Sequence, residues 1–257
     1  MDLNLAGKLA LITGGSKGIG KGIGEALARE GCNLHLVARD PDQLAKTAEA
    51  ISNTFDVSVA VTAMDMSASG AAEALISAMP RVDILINNAG AVPAGDIARI
   101  DEATWREAWD LKIYGYINLT RLMLPRMIEG GGGVICNITG LAGDRPNKDF
   151  VAGAAGNASL NAFSCAIGGR SIDDGVRVFA VSPGAVMTER MVGLFKARAE
   201  TEGIDPNNWQ SLMAAMPMGR AAKVEEVGDV VAFLVSDRAA YVSGTVVNID
   251  GGARFRG

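Results

Sequence analysis

Residues 8–31 read KLALITGGSKGIGKGIGEALAREG. The apolar run from Lys8 to Thr13 is a strand candidate, and it enters a glycine-rich turn, Thr13 to Gly20, that opens a helix stopped by Gly31. Strand, glycine turn and helix in that order form a recognisable device. The glycines let the backbone approach a pyrophosphate, and the helix N-terminus offers free N–H groups and positive potential.

The same alternation continues downstream. NLHLVA (33–38), VSVAVTA (57–63), VDILIN (82–87), GVICNIT (133–139), VRVFAVS (176–182) and TVVNI (245–249) are further strand candidates. Amphipathic stretches separate them, among them PDQLAKTAEAISNTF (41–55), with Pro41 suited to a first helical turn. Strict βαβ alternation predicts a parallel sheet covered on both faces through right-handed crossovers. The expected fold is a Rossmann-type, doubly wound α/β domain of about seven strands, with ligands at the carboxyl ends of the strands. One domain over 1–257 is expected, since no linker or repeat interrupts the series, and GGGG at 130–133 reads as a short turn into the fifth strand. The Met-rich segment 186–222 is either a lid over the carboxyl edge or a pair of helices packed on the domain.

Composition narrows the partners. A formal net charge of -5 and the absence of any lysine or arginine run argue against nucleic acid. No apolar run is long enough to span a bilayer, and MDLNLAGKLALITGG enters a strand without a leader pattern, so the expected address is cytoplasmic and no membrane partner is expected. Cys32, Cys136 and Cys165 are isolated, with His35 the one histidine. They read as small buried apolar residues, and no metal is expected.

The motifs, taken together, resemble the short-chain dehydrogenase/reductase family. TGGSKGIG (13–20) fits its TGxxxGxG pattern, followed in order by Asp65, NNAG (87–90), SPG (182–184), YVSG (241–244) and DGG (250–252), over essentially the whole chain. The resemblance implies that Gly14, Ser16, Gly18, Ile19 and Gly20 hold the dinucleotide phosphates. It further implies that Asp65, with Met66 beside it, meets the adenine, that Asn87, Ala89 and Gly90 border the adenosine ribose, and that Pro183, Gly184, Val186 and Thr188 border the nicotinamide. Cofactor choice follows from charge. Where an NAD site ends its second strand with an acid, this chain has Ala38, followed by Arg39, and Lys17 stands in the glycine turn. Two cations suit a 2′-phosphate, so NADP(H) is expected over NAD(H); the alternative makes both solvated surface charges.

In the family a tyrosine exchanges a proton with the substrate oxygen, a lysine lowers that tyrosine's pKa, a serine hydrogen-bonds the oxygen, and an asparagine holds the lysine. Here the resemblance puts Gly140 at the serine position, Gly153 at the tyrosine, Asn157 at the lysine and Lys112 at the asparagine. Glycine has no side chain with which to move a proton. Two readings follow. The chain is an oxidoreductase acting on a carbonyl or secondary alcohol through other groups, with Lys112, Asn157, Asp144, Lys148, Asp149 and the tyrosines Tyr114, Tyr116 and Tyr241 as candidates; a shifted loop would instead bring Phe150 to the tyrosine position. Alternatively it is a catalytically silent NADP(H)-binding sensor or a subunit of a complex. The Ala-, Gly- and Ser-rich helix over 150–171 is the one through which the family associates, which implies a homodimer or homotetramer.

Overall fold

Alternate side chains of the central strands enter two separate cores. Ala10, Ile12, Ile84, Ile86, Val134, Cys136, Phe179 and Val181 face one side, while Leu11, Leu85, Ile135, Val176 and Val178 face the other. Both faces are therefore buried, which explains why these strands read as unbroken apolar runs. The computed structural model describes residues 1–256. Strands β1 (Leu9–Thr13), β2 (Asn33–Ala38), β3 (Val59–Ala63), β4 (Ile84–Asn87), β5 (Gly133–Ile138), β6 (Val176–Pro183) and β7 (Val246–Ile249) form one parallel sheet in the order β3-β2-β1-β4-β5-β6-β7. All seven strand candidates are strands. β3 and β4 begin later than the alternation predicts. Val57 donates to the Phe55 carbonyl in a turn, and the Asp83 carboxylate, rather than a strand carbonyl, accepts the Leu9 N–H at 2.9 Å.

Helices α1 (Gly18–Arg29), α2 (Pro41–Thr54) and α8 (Val224–Val235) cover the first face, and α3 (Ala71–Ser77), α5 (Gly115–Glu129) and part of α6 (Val151–Ser171) cover the second. Asp40 caps α2 by accepting from the Gln43 N–H at 3.0 Å. α4 (Glu102–Trp109) runs into α5 through a π-helical turn at Asp110–Tyr114, a widening that the sequence pattern does not reveal. Such turns are rare and cluster at functional sites. α7 (Glu189–Thr201) belongs to the 186–222 segment, which folds around its own apolar cluster of Met191, Ala199, Trp209, Met213 and Ala221.

Polar groups tie the layers together. Asn87 Nδ2 donates to Asn137 Oδ1 at 2.8 Å, and Asn137 Nδ2 to Ser164 Oγ at 2.9 Å, a buried chain from β4 through β5 to α6. Among the described residues buried Arg177 has no carboxylate partner, and it donates to the carbonyls of Leu234, Ser236 and Val242, around the C-terminal end of α8 where the helix dipole favours a cation. Helix and sheet approach closely at Gly168, where a Cβ would lie 1.9 Å from the Val178 carbonyl oxygen and 2.5 Å from the Gly244 nitrogen. Both obstacles are backbone. Gly168→Ala is therefore expected to destabilise the fold by about 1–3 kcal/mol, the cost of overpacking. Thermal unfolding checks it, and an unchanged midpoint would refute this account of the contact.

Candidate functional site

At the carboxyl ends of the strands, where the chain order reverses between β1 and β4, lies a cleft of about 810 Å³. Its size is that of a pocket for a cofactor or substrate. Its wall is built from Gly14 and Ser16 to Ile19 after β1, Val37 to Asp40 at the end of β2, Met64 and Met66 after β3, and Asn88 to Pro93 after β4. Leu111 and Lys112 of the π-turn, Ile138 and Thr139 at the end of β5, and Thr188 to Arg190 at the start of α7 complete it.

The glycine turn is braced from both sides. Thr13 Oγ1 accepts from the N–H groups of Asn88 and Ala89 at 3.0 and 3.1 Å, and Asn88 Nδ2 donates to the carbonyls of Thr13 and Gly14. On the other flank Thr47 of α2 donates to the Ser16 carbonyl at 2.7 Å. Gly14 and Gly18 have φ of 65° and 56°, in the left-handed region that favours glycine. Lys17 precedes α1 in extended conformation, with no side chain capping the first N–H groups of the helix. These donors are left for a ligand.

Lys112 reaches the cleft floor. Its Nζ donates to the carbonyls of Ile138 at 3.4 Å and Thr139 at 3.2 Å, and its stem passes over Gly90, where a Cβ would lie 3.0 Å from Lys112 Cδ. Burial, and then the Arg190 charge, push its pKa down to about 8. Tyr116 donates to the same Ile138 carbonyl at 3.2 Å but is fully buried, and burial holds its phenol well above the usual range. It is a core residue. Arg190 extends from the first turn of α7 to donate to the Gly90 carbonyl at 3.4 Å and to the Val92 carbonyl.

The residues expected from the sequence are thus sorted by position. Gly14, Ser16, Lys17, Gly18, Ile19, Arg39, Met66, Ala89, Gly90, Thr188 and Lys112 line the cleft together. Gly20 lies beneath the wall, where a Cβ would meet the Gly14 carbonyl oxygen at 2.2 Å. The Asn87 side chain points into the buried Asn137 network rather than the cleft. Asp65 turns to its own loop, accepting from Ser67 N and Oγ; those bonds chiefly, with a smaller contribution from the Arg39 charge, hold its carboxyl below the usual range. Pro183, Gly184 and Val186 lie outside the lining, and Gly184 packs on Asp250.

Asn157 is buried on α6, its Oδ1 without a partner, and its Nδ2 stands 3.1 Å from where a Cβ on Gly140 would be. It is not in the cleft wall. At Gly153 the space for a side chain is taken: Cε1 and Cζ of Phe150 lie 2.1 Å from its would-be Cβ, with the ring packed in the Val92, Ile100, Ala108 and Ala152 cluster. Asp144, Lys148 and Asp149 are outside the cleft, Asp144 accepting from Asn161 at 3.3 Å and lying 3.9 Å from Arg254. Tyr114 and Tyr241 are exposed. Sequence reasoning missed Thr13 and Asn88, whose place inside the two motifs was the available signal, and Arg190, for which there was none.

Comparison with known proteins agrees with this geometry. The model of the family described as enoyl-(acyl carrier protein) reductase matches residues 14–254. The chain is 32% identical over 247 residues to an uncharacterised oxidoreductase of Bacillus subtilis, covering 95% of this chain and 98% of that protein. It is 31% identical over 258 residues to the 3-oxoacyl-[acyl-carrier-protein] reductase of Thermotoga maritima, covering 97% and 99%. Among solved structures, L-sorbose reductase from Gluconobacter frateurii, complexed with NADPH and L-sorbose, superposes with a TM-score of 0.92 at 32% identity, over 98% of each chain. Fold, cleft and relatives agree: the chain belongs to the short-chain dehydrogenase/reductase family of NAD(P)-dependent oxidoreductases.

Proposed function

We propose that the cleft binds NADP(H) and serves hydride transfer at a carbonyl or secondary alcohol, with Lys112 as the group that exchanges the proton. The fit to the cofactor rests on the chain itself. Uncapped N–H groups at the start of α1 and the left-handed Gly14 and Gly18 make a phosphate cradle, to which Ser16, Ile19 and the close packing at Gly20 contribute. Met66 is assigned to the adenine side, with Asp65 ordering the loop beside it through Ser67; Asn87 supports the strand end carrying Ala89 and Gly90; and Thr188 is assigned to the nicotinamide side, with Pro183, Gly184 and Val186 behind the wall. Arg39, at the end of β2, and Lys17, in the glycine turn after β1, line the same cleft, and Ala38 offers no carboxylate to a ribose, which favours the 2′-phosphate of NADP(H) over NAD(H).

The cofactor, when bound, supplies or takes the hydride. Proton transfer falls to the protein. We infer that the usual asparagine, serine, tyrosine and lysine are replaced by Lys112, Gly140, Gly153 and Asn157. The observation that carries the proposal is the Lys112 ammonium, which spends two of its three N–H donors on the Ile138 and Thr139 carbonyls. The third is free for a substrate oxygen. In reduction the ammonium gives its proton to the oxygen of the new alcohol and solvent restores it; in oxidation the neutral amine takes that proton. Asn157 acts behind this site, filling the space beside Gly140. The 186–222 segment serves as a lid, anchored by Arg190 to the β4 loop. Self-association as a homodimer or homotetramer is assigned to α6, where Ala155, Ala158, Ala162 and Ala166 are exposed along one side. The cytoplasm is the proposed location.

Fluorescence titration with NADPH and NADH, followed by NADPH turnover on a panel of carbonyl compounds, tests this reading. Tighter NADPH binding and turnover are expected. Binding of neither nucleotide overturns it, and binding without turnover favours the silent sensor or subunit. With a Lys112 pKa of about 8, the rate of reduction should fall as pH rises through about 8, because the donor loses its proton, while oxidation should rise through the same range. Flat profiles across pH 7 to 9 would remove Lys112 from the proton step.

A further inference from the structure

Two cations flank Gly90. The Lys112 stem lies over its Cα and Arg190 donates to its carbonyl, and the two charges are near enough for Arg190 to lower the lysine's proton affinity. Neither has an anionic partner among the described residues. Lys112 bonds only to the Ile138 and Thr139 carbonyls, and Arg190 to those of Gly90 and Val92. Neutral carbonyls satisfy N–H groups without cancelling charge, which costs most at the desolvated Lys112, while the Arg190 side chain is exposed and open to an incoming anion.

The acids in the same wall are placed otherwise. Asp40 caps α2, and Glu189 sits in the first turn of α7, where a carboxylate complements the helix N-terminus. The cofactor's phosphates do not account for the pair either, since the glycine turn and the Lys17 and Arg39 cations already suit them. A neutral carbonyl substrate would occupy Lys112 and leave the exposed guanidinium to solvent, its remaining donors unused. Arg190 has five N–H donors in a planar fork, of which two are used, so it retains donors for a carboxylate.

Building on the hydride-transfer reading above, we propose that the substrate is a carbonyl acid, with a carboxylate close to its reacting carbonyl. Arg190 holds the carboxylate while Lys112 meets the carbonyl oxygen. Arg190 thereby determines specificity, in addition to anchoring the lid.

Calorimetric titration of the NADP⁺-loaded protein with pyruvate, 2-oxobutyrate and phenylpyruvate, each against its methyl ester, tests the proposal. The acids should bind at least about tenfold more tightly than the esters, as expected for a charge-assisted bond. Arg190→Met and Arg190→Gln should abolish that preference, each variant being compared at a nucleotide concentration that saturates its own measured NADP⁺ affinity. Equal binding of acid and ester, no binding of any acid, or a preference that survives both substitutions overturns the proposal, even if neutral carbonyl compounds are reduced. The acid–ester comparison on the unaltered protein decides the matter if either variant fails to fold. Preferential acid binding with no NADPH turnover upholds the anion site and removes the hydride-transfer reading.

Discussion

Lys112→Met is expected to lower kcat about 10²- to 10⁴-fold, the range for loss of a positioned general acid, without altering NADPH affinity. The substitution keeps the apolar stem over Gly90 and removes only the ammonium that bonds to Ile138 and Thr139. Those carbonyls close the end of β5, so a merely structural lysine would reveal itself as a lower melting temperature with nearly normal turnover per folded molecule. Lys112→Arg separates the remaining possibilities. The guanidinium keeps the positive charge but stays protonated throughout the accessible pH range, so it can polarise an oxygen and cannot give up a proton. If Lys112→Arg turns over as fast as the unaltered protein, the lysine acts by charge alone and the proposed proton transfer is wrong. In the truncated variant Lys112→Ala, added propylamine should restore part of the activity, since a small amine can enter the space the stem vacates, and it should do nothing for the unaltered protein.

Ala38→Asp is expected to weaken NADPH binding by about 10- to 100-fold, corresponding to about 1.5–3 kcal/mol for one charged hydrogen-bonding interaction, and to strengthen NADH binding. The reason is positional. Ala38 ends β2 in the cleft wall beside Arg39 and Asp40, so a carboxylate there would accept from ribose hydroxyls and repel a 2′-phosphate. Arg39→Ala should produce the NADPH loss without the NADH gain. Nucleotide titrations of the two variants in parallel read both effects. If Ala38→Asp leaves the ratio of NADPH to NADH affinity unchanged, the end of β2 does not select the cofactor.

The sheet and its helices were legible because their chemistry is periodic and local. Two-sided burial writes each strand as an apolar run, and Gly31, with its φ of 83°, marks the end of α1 without reference to anything distant. The glycine turn was legible for the same reason. Asn87 was harder, since its motif placed it at a strand end where alternation sends one neighbour to the cleft and the next to the core, and its side chain went to the core. Arg190, and the packing of Phe150 against Gly153, were beyond sequence reasoning. Arg190 meets the Gly90 and Val92 carbonyls from a helix a hundred residues away along the chain, a contact that no spacing encodes. The π-turn at Asp110–Tyr114 shifts Lys112 relative to an ordinary helix, and hydrophobic pattern alone does not record such an insertion.

Phe150 and Gly153 form a pair whose members cannot vary independently. Any side chain at 153 must displace a ring 2.1 Å from its Cβ within the Val92, Ile100, Ala108 and Ala152 cluster, forfeiting part of the packing of a half-buried aromatic. Truncating Phe150 alone forfeits the same burial and leaves a void. A tyrosine at 153 together with a small residue at 150 avoids one of these penalties, so the double change should cost less than the sum of the single ones. Reaching a tyrosine at 153 by single substitutions thus requires crossing a less stable intermediate whichever change comes first. The ring is an epistatic barrier to any large side chain at 153.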